Sequence, residues 1–520
     1  DFSLLSTFSY FSYELEPSTG SYNSIHYWKT SNSINLAKAA GCKVELCVTN
    51  FGSSNNTIFL TNTSAQQTFI DSIISLINYR DADGVNIDFE GIDGSMRNNL
   101  SAFMIDLSTQ LKAAIPQATV TMAIFSVDWN NVFDIPTLDP VVDQFIIMGY
   151  GYYYSGSSKA GPTAELYKGT LWSNYNLVRS INYYLNEGVT PSKLILGLPY
   201  YGYEWQTASD AVPSNTIAPI GSRTYAYVQN NYAGTYTRNW DQEGFNPYFA
   251  FQSGGDWMQA WVDDEISLEH RYEMVKQKDI GGIGIWALGY DDGYTALWEL
   301  IKEEFTDCAT SSCSDTIYDT GGPFGNHYNN EDYSFTIASD TGTKIALSFN
   351  TFYLESGYDS LWIYDGPVTG APLIGGYSGQ GNPGTIYSSG NSLTIKFFSD
   401  AATTENGWEA AWLCIVDTID TTTNTGDQNL SYTKRDLSCV LYPNPFNNRI
   451  QIDLSTNTMQ EIHIVVSDIS GKQIFNKTIQ TYLGENNMIL NLSEHLFQQG
   501  IYNVTISSND VKNHYQVVKY

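Results

Sequence analysis

The sequence predicts an α/β chain: a (β/α)8 TIM barrel with an insertion before its last strand, followed by two small all-β sandwich domains. Three observations predict it. Over residues 1–305, short apolar runs alternate with helix-like stretches, the rhythm of a parallel sheet wrapped by helices. Beyond about residue 308 the helix-like stretches vanish, and short alternating strands recur between Gly, Ser, Asn and Pro turns. A chain of 520 residues also exceeds what one compact core accommodates, so several domains are needed.

The barrel strands follow in order. LLSTFSYFSY, CKVELCVTNF, DGVNIDFE, TVTMAIFSV, QFIIMGYGYY, KLILGLPYYG and GIGIWALGY are apolar or alternating runs of strand length. Between them AQQTFIDSIISLINYR and SAFMIDLSTQLKAAI repeat apolar residues at helical spacing. An eighth, short strand is expected near IHYW (25–28) or TIFL (57–60). Residues 206–256 break the rhythm with Tyr, Asn, Thr and Gly, and read as an insertion between the last two barrel strands. A sandwich over 308–415 is built from YSFTI, KIALSF, SLWIYDG, SLTIKFF and WEAAW. The Thr/Asp-rich linker 416–435 has almost nothing to bury, and a last β module spans 436–520.

Composition narrows the function. Against 25 basic residues stand 55 acidic ones, a formal charge of −30, which argues against a nucleic-acid backbone or an anionic membrane as partner. The 38 Tyr and 12 Trp suit stacking on a neutral carbohydrate polymer as well as ordinary cores. No apolar run reaches the length of a membrane span. The chain opens at Asp1 without Met, as expected of a processed or trimmed start. Six cysteines lack CxxC spacing; Cys308, Cys313, Cys414 and Cys439 suit oxidised pairs of open connectivity, and Cys42 and Cys47 suit buried thiols.

The octapeptide DGVNIDFE (83–90) concentrates the chemistry. A strand sends successive side chains to opposite faces, so Asn86, Asp88 and Glu90 share one face and Val85, Ile87 and Phe89 the other. Taken alone, this alternation also fits a solvated edge strand. In a barrel, Glu90 falls at the C-terminal strand end, where active sites lie. Asp88 is about 7 Å away on the same face, and its charge is expected to raise the Glu90 pKa towards that of a general acid.

DGVNIDFE resembles the D-x-x-D-x-D-x-E motif of glycoside hydrolase family 18, the chitinase family. QFIIMGYGYY, KLILGLPYYGYEW and WVDDEISLEHRYEMVKQKDIGGIGIWALGYDDG resemble three further family stretches, in the family's order. The resemblance implies a retaining, substrate-assisted hydrolysis that needs no cofactor. Glu90 would protonate the glycosidic oxygen, Asp88 would orient the substrate's 2-acetamido group, and Tyr150 would hydrogen-bond that group's oxygen. Substrate contacts are implied for Asp83 and Asn86 of the motif, for Met148 and for Trp286. Trp205, with Tyr203 and Glu204 at the base of the insertion, is expected either to touch sugar in a groove that the insertion walls or to serve as packing.

Two departures stand out. Asn86 replaces a carboxylate, so an amide donating to Asp88 and a more uniformly ionised Asp88 are expected. Gly151 follows Tyr150 where the family has Asp, and Asp264 is a substitute candidate. The Asn form also resembles peptidoglycan-directed and spore-coat members. Chitin, peptidoglycan and an N-glycan core therefore stay open as substrates, and a chitin-binding, lectin-like role is the alternative to catalysis that a retained Glu90 disfavours.

Residues 308–415 resemble a CUB domain through FYLESGYDSLWIYDG and LTIKFFSDAATTENGWEAAW. That resemblance implies a structural Ca²⁺ ion held by Glu355, Asp359 and Asp400. LYPNPFNNRIQIDL, GIYNVTIS and VVKY, with Gly500, Tyr502 and Lys519, resemble the C-terminal sorting domain of the type IX secretion system of Bacteroidetes. It implies engagement of that secretion machinery and a secreted or outer-surface protein.

Overall fold

The computed structural model describes residues 1–306, 314–339, 343–416, 437–442, 449–456, 460–468, 472–481, 484–491, 500–508 and 512–519. Cys308, Cys313, the side chain of Cys439 and nearly all of the linker 416–435 lie outside them. Cys414 is disulfide-bonded, while Cys42 and Cys47 are free, buried thiols.

Seven parallel strands form the first sheet: β1 (Thr7–Leu15), β2 (Lys43–Phe51), β3 (Gly84–Glu90), β4 (Thr119–Phe125), β5 (Gln144–Met148), β6 (Leu194–Pro199) and β7 (Gly282–Trp286). They are paired in chain order, and a short antiparallel strand, Tyr22–Ser24, lies beyond β1. The two ends of the sheet approach through Phe11 and Trp286, whose rings meet edge to face at 5.0 Å. Strand alternation explains the layering. Val44, Leu46, Val48, Val85, Ile87, Phe89, Val120, Met122 and Ile124 face outward and are fully or almost fully buried under helices. Each such side chain contributes about 1.5–3 kcal/mol on burial.

Helix Thr63–Arg80 shows how the outer layer is specified. Asn62 caps it by accepting from the Ala65 N–H at 3.1 Å. Phe69, Ile70, Ile73, Leu76 and Ile77 recur at helical spacing and are buried, and Asp81 ends the helix at φ +48°.

The sheet's eighth strand is the short Tyr22–Ser24, directly before IHYW but antiparallel to β1, and neither IHYW nor TIFL is itself a strand. Residues 57–60 complete helix Ser53–Leu60, because Phe59 and Leu60 bury at helical spacing beside Asn56. Residues 25–28 form a turn whose Trp28 plugs the core and donates to the Leu76 carbonyl at 3.0 Å.

Five strands from between β6 and β7, with Lys159–Ala160 from between β5 and β6, form a second sheet in the order Arg238–Asp241, Asn246–Ser253, Asp256–Trp261, Tyr201–Thr207, Ser214–Thr224 and Lys159–Ala160. It buries Trp172, Trp205 and Trp261 around Ala160. Two four-stranded antiparallel sheets over Ser314–Val416 then sandwich their own core, centred on Leu347, Ile363, Ile395, Phe397 and Trp408. This sandwich belongs to the same compact unit as the barrel, Asp1–Ile419. Its Glu331 enters the barrel flank, where Lys278 pairs with it at 2.5 Å and Asn182 donates to it at 3.0 Å. The separate unit Asp420–Tyr520 holds a three-stranded and a four-stranded antiparallel sheet, with Ile450, Ile452, Ile464, Val466 and Val504 in its core.

Candidate active site

The inward face of β3 places Asn86, Asp88 and Glu90 in successive layers of the barrel, Glu90 at the upper rim. The strand end is held firmly. The Glu90 carbonyl accepts from Gly52 N and from Asn56 Nδ2, each at 2.8 Å. Gly91 turns the chain at φ +70°, a left-handed conformation, with its missing Cβ 3.3 Å from the Gly52 Cα.

Asp88 is only 8% exposed, and its Oδ1 is buried without a hydrogen-bond partner. Burial, and secondarily the Glu90 charge, push its pKa up to about 7. Glu90 is half-buried, and burial raises its pKa too. Two expectations change here. The rise at Glu90 comes from burial rather than from its neighbour's charge. Asp88 is harder to ionise than expected, because it is buried, the Asn86 amide nitrogen donates to Thr121 Oγ1 at 2.9 Å instead, and no positive charge among the described residues offsets the desolvation.

Tyr150 follows β5 at the same rim. Burial, then Tyr201, then the carboxylates Asp88 and Glu90 hold its phenol well above its ordinary pKa, so it remains a proton donor. Its ring lies 6.0 Å from that of Tyr201, the first residue of strand Tyr201–Thr207, and Tyr201 in turn meets Tyr203 and Tyr290. Met148 ends β5, half-buried on its inward face, and Trp286 ends β7, half-buried against the exposed ring of Phe11. Phe11 and Tyr201 were missed from the sequence, because each sits in a Tyr- and Phe-rich run that marks no single ring.

Other expected residues stand elsewhere. Trp205 is fully buried in the inserted sheet's own core, donating to the Ser155 carbonyl at 3.3 Å, so it reaches no substrate. Asp83 precedes β3 at the opposite end from Glu90 and accepts from Val44 N at 2.7 Å; it ties two strand starts together. Glu204 is buried against Arg223 at 2.6 Å. Asp264 caps helix Glu265–Gln277 and pairs with Arg238 at 2.5 Å, so it does not replace the missing acid at Gly151.

In the sandwich, ligand oxygens of Glu355, Asp359 and Asp400 lie within 4.8 Å of one another. Asp359 accepts from the backbone N–H groups of Asp400 at 3.0 Å and of Glu355 at 3.3 Å, which draws the two loops together. Glu355 Oε2 is buried without a partner. An oxygen-only set with an orphaned carboxylate oxygen fits a hard divalent cation.

Comparison with known proteins identifies the domains. Residues 309–412 match the CUB domain, and residues 440–519 match the secretion system C-terminal sorting domain, the address of a protein exported to the cell surface or the medium. A probable endochitinase of Caenorhabditis elegans is 28% identical over 259 residues, covering 44% of this chain and 40% of that protein. A cortical fragment-lytic enzyme of Bacillus anthracis is 22% identical over 290 residues, covering 54% and 64%. The chain thus spans about half the length of these curated relatives. A chitinase from Cycas revoluta, solved in complex with (GlcNAc)3, shares the fold with a TM-score of 0.53 at 19% identity, over 58% of this chain and 93% of that one. Residues 7–291, more than half of the chain, match the model for glycosyl hydrolases family 18, and the chain belongs to that family of glycosidases.

Proposed function

We propose that the protein is a secreted hydrolase of β-1,4-linked N-acetylglucosamine polymers, chitin foremost, acting by a retaining, substrate-assisted mechanism. The observation that carries this reading is the buried, unpartnered oxygen of Asp88, two residues before a rim glutamate of raised pKa. An acetamido N–H supplies the hydrogen bond that this oxygen lacks.

Glu90, protonated, donates to the glycosidic oxygen as the bond to the anomeric carbon breaks, and the bonding pair leaves with the departing sugar. The substrate's acetamido oxygen attacks the anomeric carbon and forms an oxazolinium ion, so no protein nucleophile is needed. Asp88 accepts the acetamido N–H and offsets the positive charge, while the Tyr150 hydroxyl donates to the acetamido oxygen. Glu90, now a carboxylate, takes a proton from water, whose oxygen opens the ring from the same face. Trp286 supplies the apolar floor, and Met148 the wall beside Tyr150. The cycle uses side chains, substrate and one water. In the sandwich, Glu355, Asp359 and Asp400 would hold a calcium ion that stiffens their loops.

The test is product analysis by mass spectrometry, with full-length protein and a Glu90→Gln control on chitin oligosaccharides and on peptidoglycan. Shortened chitin products from the wild type alone support the reading, with the control slowed by at least about 100-fold. Cleavage of peptidoglycan alone moves the substrate to cell walls. That second reading is favoured by Asn86 and by the likeness to a cortical fragment-lytic enzyme. Cleavage of neither polymer overturns both, and makes an N-glycan core or a purely binding role the leading account.

A further inference from the structure

Strand β2 carries one acid among apolar neighbours, Glu45, and it points into the barrel interior rather than to solvent; it is 2% exposed. Three hydroxyls converge on its carboxylate. Thr119 Oγ1 donates to Oε1 at 2.7 Å, and Thr121 Oγ1 and Ser9 Oγ donate to Oε2 at 2.7 and 3.2 Å. Such a set of donors suits an ionised, acceptor-only carboxylate.

Thr121 has one proton to give. With that proton committed to Glu45, its oxygen accepts the Asn86 amide N–H at 2.9 Å. The chain Glu45–Thr121–Asn86 therefore fixes which end of the Asn86 amide faces Thr121, and so which end faces away. Asp88 is the next inward residue above Asn86 on the same strand.

We propose, resting on the reading of Asp88 and Glu90 given above, that Glu45 is a positioning residue of the site: through the Thr121 hydroxyl it sets the orientation of the Asn86 amide beneath Asp88, and so stands in for a carboxylate at position 86. Without an acceptor at Glu45, the Thr121 hydroxyl is free to turn and donate to the amide oxygen, and the amide flips. Burial raises the Glu45 pKa to about 7, with the Asp143 charge adding to it. The other titratable groups near it are the buried Cys47 thiol, on which Asp88, Glu45 and Glu90 all act, and Asp143, which is paired with Lys112 at 2.9 Å. The orientation lock thus loosens as Glu45 takes up its proton through neutral pH.

The test measures kcat, KM and the pH profile of the full chain on a fluorogenic chitobioside, for Glu45→Gln, Thr121→Val and Glu45→Gln/Asn86→Asp, with Glu90→Gln alongside. Expected are losses of about tenfold in kcat for both single variants, as for the loss of one charge-assisted hydrogen bond, with KM nearly unchanged and the acid limb of the profile moved. The double variant regains most of the loss, because a carboxylate at position 86 needs no relay. If Glu45→Gln fails to fold, Thr121→Val carries the test, since Thr119 and Ser9 still satisfy Glu45. Wild-type kcat and pH profile in both single variants overturn the proposal while a dead Glu90→Gln leaves the glycosidase reading standing. An active Glu90→Gln overturns that reading itself.

Discussion

Replacing Asp88 by Asn should make the barrel more stable above neutral pH while abolishing hydrolysis. Folding raises the Asp88 pKa from 3.8 to about 7, chiefly by burial. The folded protein therefore keeps a proton that the unfolded chain releases across that window. Stability is fully present below about pH 4 and declines as pH rises, by about 1.4 kcal/mol per unit, until the folded group ionises near pH 7. The accumulated cost is about 4 kcal/mol, a shift of about 3 units at 1.36 kcal/mol each. Asn cannot ionise, so it escapes this cost. It still buries a polar group where Asp88 Oδ1 has no partner, which leaves a net gain of about 2–4 kcal/mol at pH 8 and almost none at pH 4. Calorimetry on the full chain at pH 4, 5.5 and 8 reads this as a melting difference that grows to several degrees for the transition of the larger unit. A difference that is the same at all three pH values, or a variant that melts earlier at pH 8, refutes the account of Asp88 as a group held against its own ionisation.

Further outcomes follow from other contacts. Lys278→Met should cost about 3–5 kcal/mol, because Glu331 is left buried and charged; pairing it with Glu331→Leu should recover much of that in thermal unfolding. Gly91→Ala should cost about 1–2 kcal/mol from its left-handed backbone and lower kcat by displacing the Glu90 strand end, read by melting and by turnover together. Millimolar Ca²⁺ should raise the melting temperature of the wild type, and Asp359→Asn should abolish that rise without touching kcat.

The barrel was legible because its strands alternate and its helices repeat at 3.6 residues, and burial follows those periods through Val85, Ile87 and Phe89 as it does through Phe69, Ile73 and Leu76. TIFL misled because a four-residue apolar run has no period of its own; the polar residues before it decide for helix. Motif membership alone does not locate a side chain. Asp83 opens the same octapeptide as Glu90, yet six residues of rise separate the strand's start from its rim. Trp205 was read from its place in a stretch, whereas the inserted sheet turns it into its own core. Glu45 carries a signal in the sequence, a lone carboxylate between Val44 and Leu46 in a strand-like run, but only the fold shows the three hydroxyls that gather around it.

The docking of the sandwich on the barrel bears on how such a protein can be inherited. Glu331 of the sandwich meets Lys278 and Asn182 of the barrel, Tyr328 meets Asn176, and Tyr167 lies against Gly322, while Thr320 donates to Glu331 from within the sandwich. A barrel that lost this module would leave Lys278 without the Glu331 carboxylate that it pairs with. Exchanging the module for one without an acid at this place would therefore destabilise the catalytic half as well. The terminal β module has a core of its own and by itself matches a sorting domain, so its sequence carries an address apart from the catalytic half.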